Sequence, residues 1–387
     1  MVLTLAACDG PAAAPVAQPA SSAAPPVVSA GPSVSPAGPS SAAPAADCVT
    51  RTLAGLSIEE RVGQVLMVGI PVASPRSLAG VVTRYHLGGV FLAGRSTRPA
   101  ATLRADISAL QSSAAEPLLV ALDQEGGAVQ TLKGPEFSLI PSALRLGAGP
   151  PATLRAEVHD AARRLAGIGV NVNLAPVADT VPASLGESNP PIGAFHRQYG
   201  SDPVRVAAAI RTVVPTSQDA GVLTTLKHFP GLGRTRFNTD TSTQAVDATT
   251  TTQDPYLVPF AAGIEEGSAA VMVSSASYPR LDSTALAAFS EPIITGLLRK
   301  GMGFTGLIMS DDIGAAKAVR AVPVGDRAVR FVRAGGDMVL TIRQQDAAPM
   351  SAALLAAARS SPAMADRVTD AATHVLRTKA RAGLLKC

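Results

Sequence analysis

The sequence predicts an α/β fold: a single closed (β/α)8 barrel of TIM type behind an N-terminal tether. Two observations predict it. Eight short apolar runs alternate with helical patterns along the chain, the mark of parallel β/α units. Polar groups also recur at the C-terminal ends of those runs. Leu118 to Leu122 ends in Asp123, and Val170 to Pro176 leads to Asp179. Val222 to Leu226 ends in Lys227 and His228. Ala270 to Ser274 ends in small hydroxyls, and Gly306 to Met309 ends in Ser310, Asp311 and Asp312. In a barrel of parallel strands these ends meet on one face, where active sites are built. A doubly wound open sheet would gather them at one switch point, and no glycine-rich dinucleotide loop follows the first strand.

The elements follow in order. Leu56 to Val62 reads as a helix opened by a capping box, Ser57 with Glu60. Strand one spans Gln64 to Ile70, and Ala79 to Tyr85 is helical. Strand two is Gly88 to Leu92, then a helix covers Ala101 to Ser112. Strand three is Leu118 to Asp123, and a helix with arginines on its polar side covers Leu154 to Leu165. Strand four is Val170 to Ala175. Val204 to Ala220 is a helix interrupted near Pro215, then comes strand five, which Pro230, Gly231 and Gly233 end. Pro259 to Glu266, Glu291 to Arg299 and Asp326 to Ala334 are helical. They alternate with strand six, Ala269 to Ser274, strand seven, Gly306 to Ser310, and strand eight, Asp337 to Thr341. Ser351 to Leu385 reads as one or two helices.

The 387 residues, 47% of them hydrophobic, suffice for a large core. A formal charge of +4, 3% aromatic residues and no Trp leave neither a basic stripe nor a stacking platform, so nucleic acid is not an expected partner. Residues 9–46 are Ala, Pro, Ser, Gly and Val with almost no charge. Such a segment cannot offset its ordering entropy and reads as a disordered linker. Ahead of it, residues 1–8 end in Leu5-Ala6-Ala7-Cys8, which resembles a bacterial lipobox. The expectation is export and a lipid anchor at Cys8 on the outer face of the cell membrane. The folded domain is 47–387. Cys48 opens it and Cys387 ends the chain, and a disulfide between them is expected because the ends of a closed barrel are neighbours. No Cys or His pair has metal-ligand spacing, so neither metal nor cofactor is expected.

Seven motifs in order then carry a resemblance: EERVGQVLMVG (59–69), GGVFLAGR (88–95), ALDQEGGAVQ (121–130), GVNVNLAPVAD (169–179), KHFPGLG (227–233), GFTGLIMSDDI (303–313) and AGGDMVL (334–340). Together they resemble glycoside hydrolase family 3, specifically its single-domain, NagZ-type β-N-acetylglucosaminidases. The resemblance implies that Asp311 is the nucleophile of a retaining mechanism. It implies that Asp123, Arg197, Lys227 and His228 bind the sugar. Arg197 lies in Arg197-Gln198-Tyr199-Gly200, which is similar to the family's Arg-Ser-Phe-Gly turn. Asp312 is expected to orient its loop.

The acid/base departs from the family. NagZ-type enzymes carry Asp-Ser-His in the loop after strand five; the matching residues here are Asn238, Thr239 and Asp240. Either Asp240 takes over as acid/base, or the protein is a non-catalytic sugar-binding lipoprotein. As an acid, Asp240 needs a raised pKa, which Arg234 and Arg236 would oppose unless they point outward. A carboxylate in that place would also favour water over phosphate as the acceptor. Since the chain ends soon after strand eight, the acid/base is expected from the barrel's own loops. The expected activity is exo-cleavage of terminal GlcNAc from peptidoglycan-derived fragments such as muropeptides, by a monomer. An exo-β-glucosidase is the alternative within the family.

Overall fold

The structure, a computed structural model, describes residues 42–385, with side chains from Cys48 onward. Residues 1–41, with Cys8 and most of the linker, and Cys387 lie outside the described residues; linker residues 42–46, expected to be disordered, form the first turn of a helix. The barrel strands are β1 Leu66–Pro71, β2 Gly89–Ala93, β3 Leu119–Leu122, β4 Val172–Asn173, β5 Leu223–Phe229, β6 Ala270–Val273, β7 Leu307–Asp312 and β8 Met338–Thr341. Each pairs in parallel with its neighbours in sequence, and β1 closes on β8 with Leu66 opposite Val339 and Val68 opposite Thr341.

Alternation along the strands divides the core. Met67, Leu119, Ala121, Val172, Met272, Met309 and Met338 fill the barrel interior. Val68, Val90, Val120, Val271, Ile308 and Val339 point outward beneath the helices. Both faces of every strand are therefore buried, which is why the strands read as continuous apolar runs.

The helices are α1 Ala42–Gly55, α2 Ile58–Gln64, α3 Ala79–Tyr85, α4 Ala100–Ser113, α5 Ala143–Ala148, α6 Pro151–Gly167, α7 Pro203–Asp219, α8 Val258–Glu265, α9 Val324–Arg333, α10 Ala347–Ser360 and α11 Pro362–Arg381, with a π-type helix over Pro292–Gly301 between α8 and α9. The capping box at Ser57 forms: the Glu60 N–H donates to its Oγ, and its own N–H donates to Glu60 at 2.8 Å. Two expectations are corrected. Gln64 closes α2 instead of opening β1, and its side chain accepts from the Lys379 ammonium on α11. α7 runs unbroken through Pro215. A proline costs a helix interior about 3 kcal/mol. Here Val213, Val214, Thr216 and Ser217 are all buried around it, so packing holds the helix together.

At the N-terminal ends of the strands, the buried Asp337 accepts from Arg299 and Arg367, each at 2.6 Å, and from the Ile308 N–H at 2.9 Å. This joins β7, β8, α11 and the π-type helix. Cys48 is disulfide-bonded; Cys387, its expected partner, lies outside the described residues. Among the described residues, no helix is long and apolar enough to cross a membrane.

Candidate active site

The C-terminal ends of β3, β5 and β7 converge on a cavity of about 580 Å³. Its walls include Asp123, Arg197, Lys227, His228, Asp240 and Asp311, the six residues singled out in the sequence for binding and chemistry. The volume is that of a small-ligand site.

One wall is a buried charge network. β5 continues two residues past Lys227, so both Lys227 and His228 sit within the strand and are buried. The Lys227 ammonium lies 2.6 Å from an Asp123 oxygen and 2.6 Å from a Glu125 oxygen. Glu125 leaves β3 in a tight hairpin whose turn residues Gly126 and Gly127 have φ of +98° and +56°. A Cβ at Gly126 would stand 2.6 Å from the Pro141 carbonyl oxygen, so the turn that aims Glu125 requires glycine. The Arg197 guanidinium grips Glu125 with Nε and Nη2, at 2.8 and 2.7 Å, and donates a third bond from Nη1 to the Pro191 carbonyl at 2.9 Å. Asp179 accepts from His228 Nδ1 at 2.7 Å and from the Leu232 N–H at 2.7 Å. Arg197 Nη2 faces His228 Nε2 at 3.3 Å. Nδ1 carries a proton that it donates to Asp179.

Glu125 and Asp179 are site residues to which the sequence assigned no role; Asp179 stood out there only as a polar strand-end group. Burial pushes the Glu125 carboxyl up, but Arg197 and Lys227 outweigh it and hold the pKa at about 2. Burial likewise pushes Lys227 down, and Asp123 and Glu125 together raise it above its ordinary value. Glu125→Ala would leave two buried cations short of an anion, at a cost of about 3–5 kcal/mol. The sign with pH follows. A carboxyl lowered from 4.5 to about 2 contributes stability that is full above 4.5 and is lost as pH falls through about 2. Denaturant melts should therefore show Glu125→Ala far less stable at pH 7, with the gap to wild type narrowing toward pH 2. Equal stability at pH 7 would contradict this account of the network.

The facing wall holds three carboxyls. The loop after β5 is pinned to the loop after β7: the Lys317 N–H donates to the Asp240 carbonyl at 3.2 Å, and the Ala318 N–H to the Thr239 carbonyl at 3.0 Å. Asn238 Oδ1 accepts from the Asp240 N–H at 2.8 Å. Asp240 is thereby held beside Asp311. Asp240 as a whole is exposed, while its carboxyl shares the cavity with Asp311 and Asp312. Burial first, then the Asp311 charge, push its pKa up to about 6 against the opposing pull of His228. Burial and both neighbouring carboxylates, Asp311 and Asp312, act in the same sense. Arg234 does not oppose it. That guanidinium turns outward to Asp254 at 2.7 and 2.8 Å and stacks 3.6 Å over the Tyr256 ring. Arg236 is exposed. Asp312 caps its own loop, accepting from the Gly314 N–H at 2.9 Å and the Ile342 N–H at 3.1 Å. Asp311 accepts only from the Asp312 N–H, at 2.8 Å, among the described residues, so one of its oxygens is free of protein donors.

The arrangement suits acid–base and nucleophilic work on a small polyhydroxylated ring: donors and acceptors on one wall, a carboxylate and a protonatable carboxyl on the other. The metal-like trio among the described residues, Asp337, Asp370 and His374, lies at the opposite end of the barrel, where Asp337 is taken by two arginines.

Residues 57–378 match the Glycosyl hydrolase family 3 N terminal domain. A β-hexosaminidase of Xanthomonas oryzae pv. oryzae is 36% identical over 244 residues, which is 60% of this chain and 70% of the relative. The crystal structure of a β-N-acetylhexosaminidase from Beutenbergia cavernae is 45% identical with a TM-score of 0.82, covering 84% of this chain and 99% of that one. A glycoside hydrolase family 3 β-N-acetylglucosaminidase from Paenibacillus sp. str. FPU-7 is 30% identical with a TM-score of 0.78, covering 85% and 63%. A match that begins at the capping-box serine of α2 and ends within α11 takes in the whole barrel, and on that ground the chain belongs to glycoside hydrolase family 3, as a glycoside hydrolase of its NagZ-type branch.

Proposed function

We propose that the protein is an exo-acting, retaining β-N-acetylglucosaminidase with Asp311 as nucleophile and Asp240 as acid/base. The observation that carries this reading is the pairing of the two carboxyls. Asp240 is raised to about 6 beside Asp311, so one can hold a proton while the other is ionised. The relatives named β-N-acetylhexosaminidase and β-N-acetylglucosaminidase support the choice of sugar.

Asp123 accepts ring hydroxyls, while Lys227 and Arg197 donate to them. Glu125 and Asp179 keep those donors aimed. Asp311 attacks the anomeric carbon as Asp240 gives its proton to the glycosidic oxygen; the C–O bond breaks and the aglycone leaves as an alcohol. Asp240, now a carboxylate, takes a proton from water, which attacks the ester between sugar and Asp311. GlcNAc leaves with its configuration retained and both carboxyls return to their starting states. Peptidoglycan-derived fragments ending in GlcNAc are the proposed source of substrate. The proposed location is the cell envelope, with the chain a monomer anchored through Cys8.

The test is release of 4-nitrophenol from its β-GlcNAc and β-glucose glycosides across pH. The expected result is turnover of the GlcNAc glycoside, with kcat/KM falling as pH rises through about 6, where Asp240 gives up its proton. In phosphate buffer the product should be free GlcNAc, since a carboxylate at Asp240 repels an incoming phosphate. Turnover of the glucoside alone would replace this reading with an exo-β-glucosidase. GlcNAc binding without turnover of either glycoside would replace it with a sugar-binding protein.

A further inference from the structure

A second cavity, of about 280 Å³, opens at the far end of the barrel from the candidate active site. The turn from α8 into β6 forms one side, with Gly267, Ser268 and Ala269. The turn into β7 forms another, with Gly303, Phe304, Thr305 and Gly306. The third side is one face of α11. His374, Arg377, Thr378 and Arg381 follow at i, i+3, i+4 and i+7, the spacing that puts side chains on a single stripe.

The charge of this cavity is one-sided. No carboxylate is among its lining residues. Four arginines stand at or behind it, Arg299, Arg367, Arg377 and Arg381, against two carboxylates, Asp337 and Asp370. Arg299 and Arg367 take Asp337, and Arg367 also takes Asp370. The glutamates at the end of α8 turn to Arg211, with Glu265 at 2.5 Å and Glu266 at 3.9 Å. Arg377 and Arg381 are left without a carboxylate among the described residues. Arg381 is anchored by a bond from Nη2 to the Gly267 carbonyl at 2.5 Å. Arg381 is an exposed residue; partial covering of its guanidinium pushes its pKa below the ordinary arginine range, with no acid opposing the shift. His374 is 3.8 Å from Asp370 and closes the inner end. Gly303, at φ +67°, has nothing within 4 Å of where a Cβ would stand, which keeps the mouth open.

We propose that this cavity binds a phosphate group, held by Arg377 and Arg381 on α11 with the Thr305 hydroxyl at its rim. Guanidinium pairs without carboxylate partners match the geometry and charge of phosphate oxygens. Two sources carry that chemistry: a free phosphomonoester, and the headgroup of an anionic phospholipid. The opposite side of α11 is occupied: Leu376 and Ala380 pack with Val49 and Leu53 of α1 and with Leu56 just beyond it. Only the arginine face of α11 is free for a ligand.

The experiment is calorimetry of the full chain with inorganic phosphate and with glycerol 1-phosphate, alongside sedimentation with vesicles of phosphatidylglycerol or phosphatidylcholine. Binding of the soluble phosphates without phosphatidylglycerol vesicles identifies a free-phosphate site. Retention on phosphatidylglycerol but not phosphatidylcholine vesicles, competed by phosphate, identifies a headgroup site. The double change Arg377→Gln with Arg381→Gln should weaken either by about tenfold or more, and added salt should weaken it in wild type. Arg377→Gln alone, at an exposed side chain with no hydrogen-bond or ion-pair partner among the described residues, guards against a folding defect and should still weaken binding severalfold. Release of 4-nitrophenol, which depends on the other end of the barrel, should not change in either variant. Absence of binding to every probe, or binding unchanged in the double variant, overturns the proposal.

Discussion

Asp311→Asn is expected to lower kcat on the aryl β-GlcNAc glycoside by about 10⁴-fold or more, the scale seen when a covalent nucleophile is removed. The change is nearly isosteric. The amide oxygen can still accept from the Asp312 N–H, which Asp311 Oδ1 holds at 2.8 Å, so the strand end should keep its shape. The neutral amide cannot form the glycosyl ester. The charge network of Glu125, Arg197 and Lys227 lies on the opposite wall, so GlcNAc should bind with unchanged affinity by calorimetry. A second effect separates loss of charge from loss of shape. The Asp311 charge helps raise Asp240, so in the Asn variant the Asp240 pKa should fall from about 6. Carbon-detected NMR titration of Asp240 reads that directly. Activity within tenfold of wild type would remove Asp311 from the mechanism.

Asp240→Ala is expected to cost about 10²–10⁴-fold, the usual contribution of a general acid/base. The loss should be greatest for substrates with poor leaving groups, which need the proton most. The loop itself should survive, because the Lys317 and Ala318 N–H groups hold it through backbone carbonyls and not through the carboxyl. With an activated aryl glycoside the first step still proceeds, and the ester to Asp311 accumulates because no base activates water. Azide needs no base. It should restore turnover and give the β-glycosyl azide, and the decline of kcat/KM through pH 6 should vanish from the profile. Full activity in Asp240→Ala would mean that another group supplies the proton.

Much of this was legible in the sequence, for a definite reason. Strands buried on both faces appear as short apolar runs, and a barrel exposes its chemistry where those runs stop. Asp123, Lys227, His228 and Asp311 therefore stand out at strand ends. Glu125 did not, although it lies in a motif that was read. Its importance comes from Arg197, 72 residues away, and from burial, neither of which is a local signal. Asp179 was visible as the end of a strand, but its contact with His228 Nδ1 depends on how β4 and β5 lie side by side. The unbroken α7 fails the local rule for proline for the same reason: packing of Val213, Val214, Thr216 and Ser217 decides it, and packing is not written next to Pro215. The direction of Arg234 was left open by the sequence, and Asp254 and Tyr256 resolve it.

The seam between β1 and β8 bears on how the molecule comes into being. Leu66 must find Val339, a partner from the other end of the domain, before the sheet has no edges. Contacts of such long sequence separation slow folding, because chain entropy is lost before they form. A nascent chain that has emerged only through β7 already contains every residue assigned to catalysis and sugar binding here, Asp123 to Asp311. It also exposes two open sheet edges, one on β1 and one on β7, each ready to pair with another chain. Synthesis of the last strand is then the event that turns an aggregation-prone intermediate into an enzyme, and a chain shortened before Met338 should be recovered as aggregate even though its active-site residues are all present.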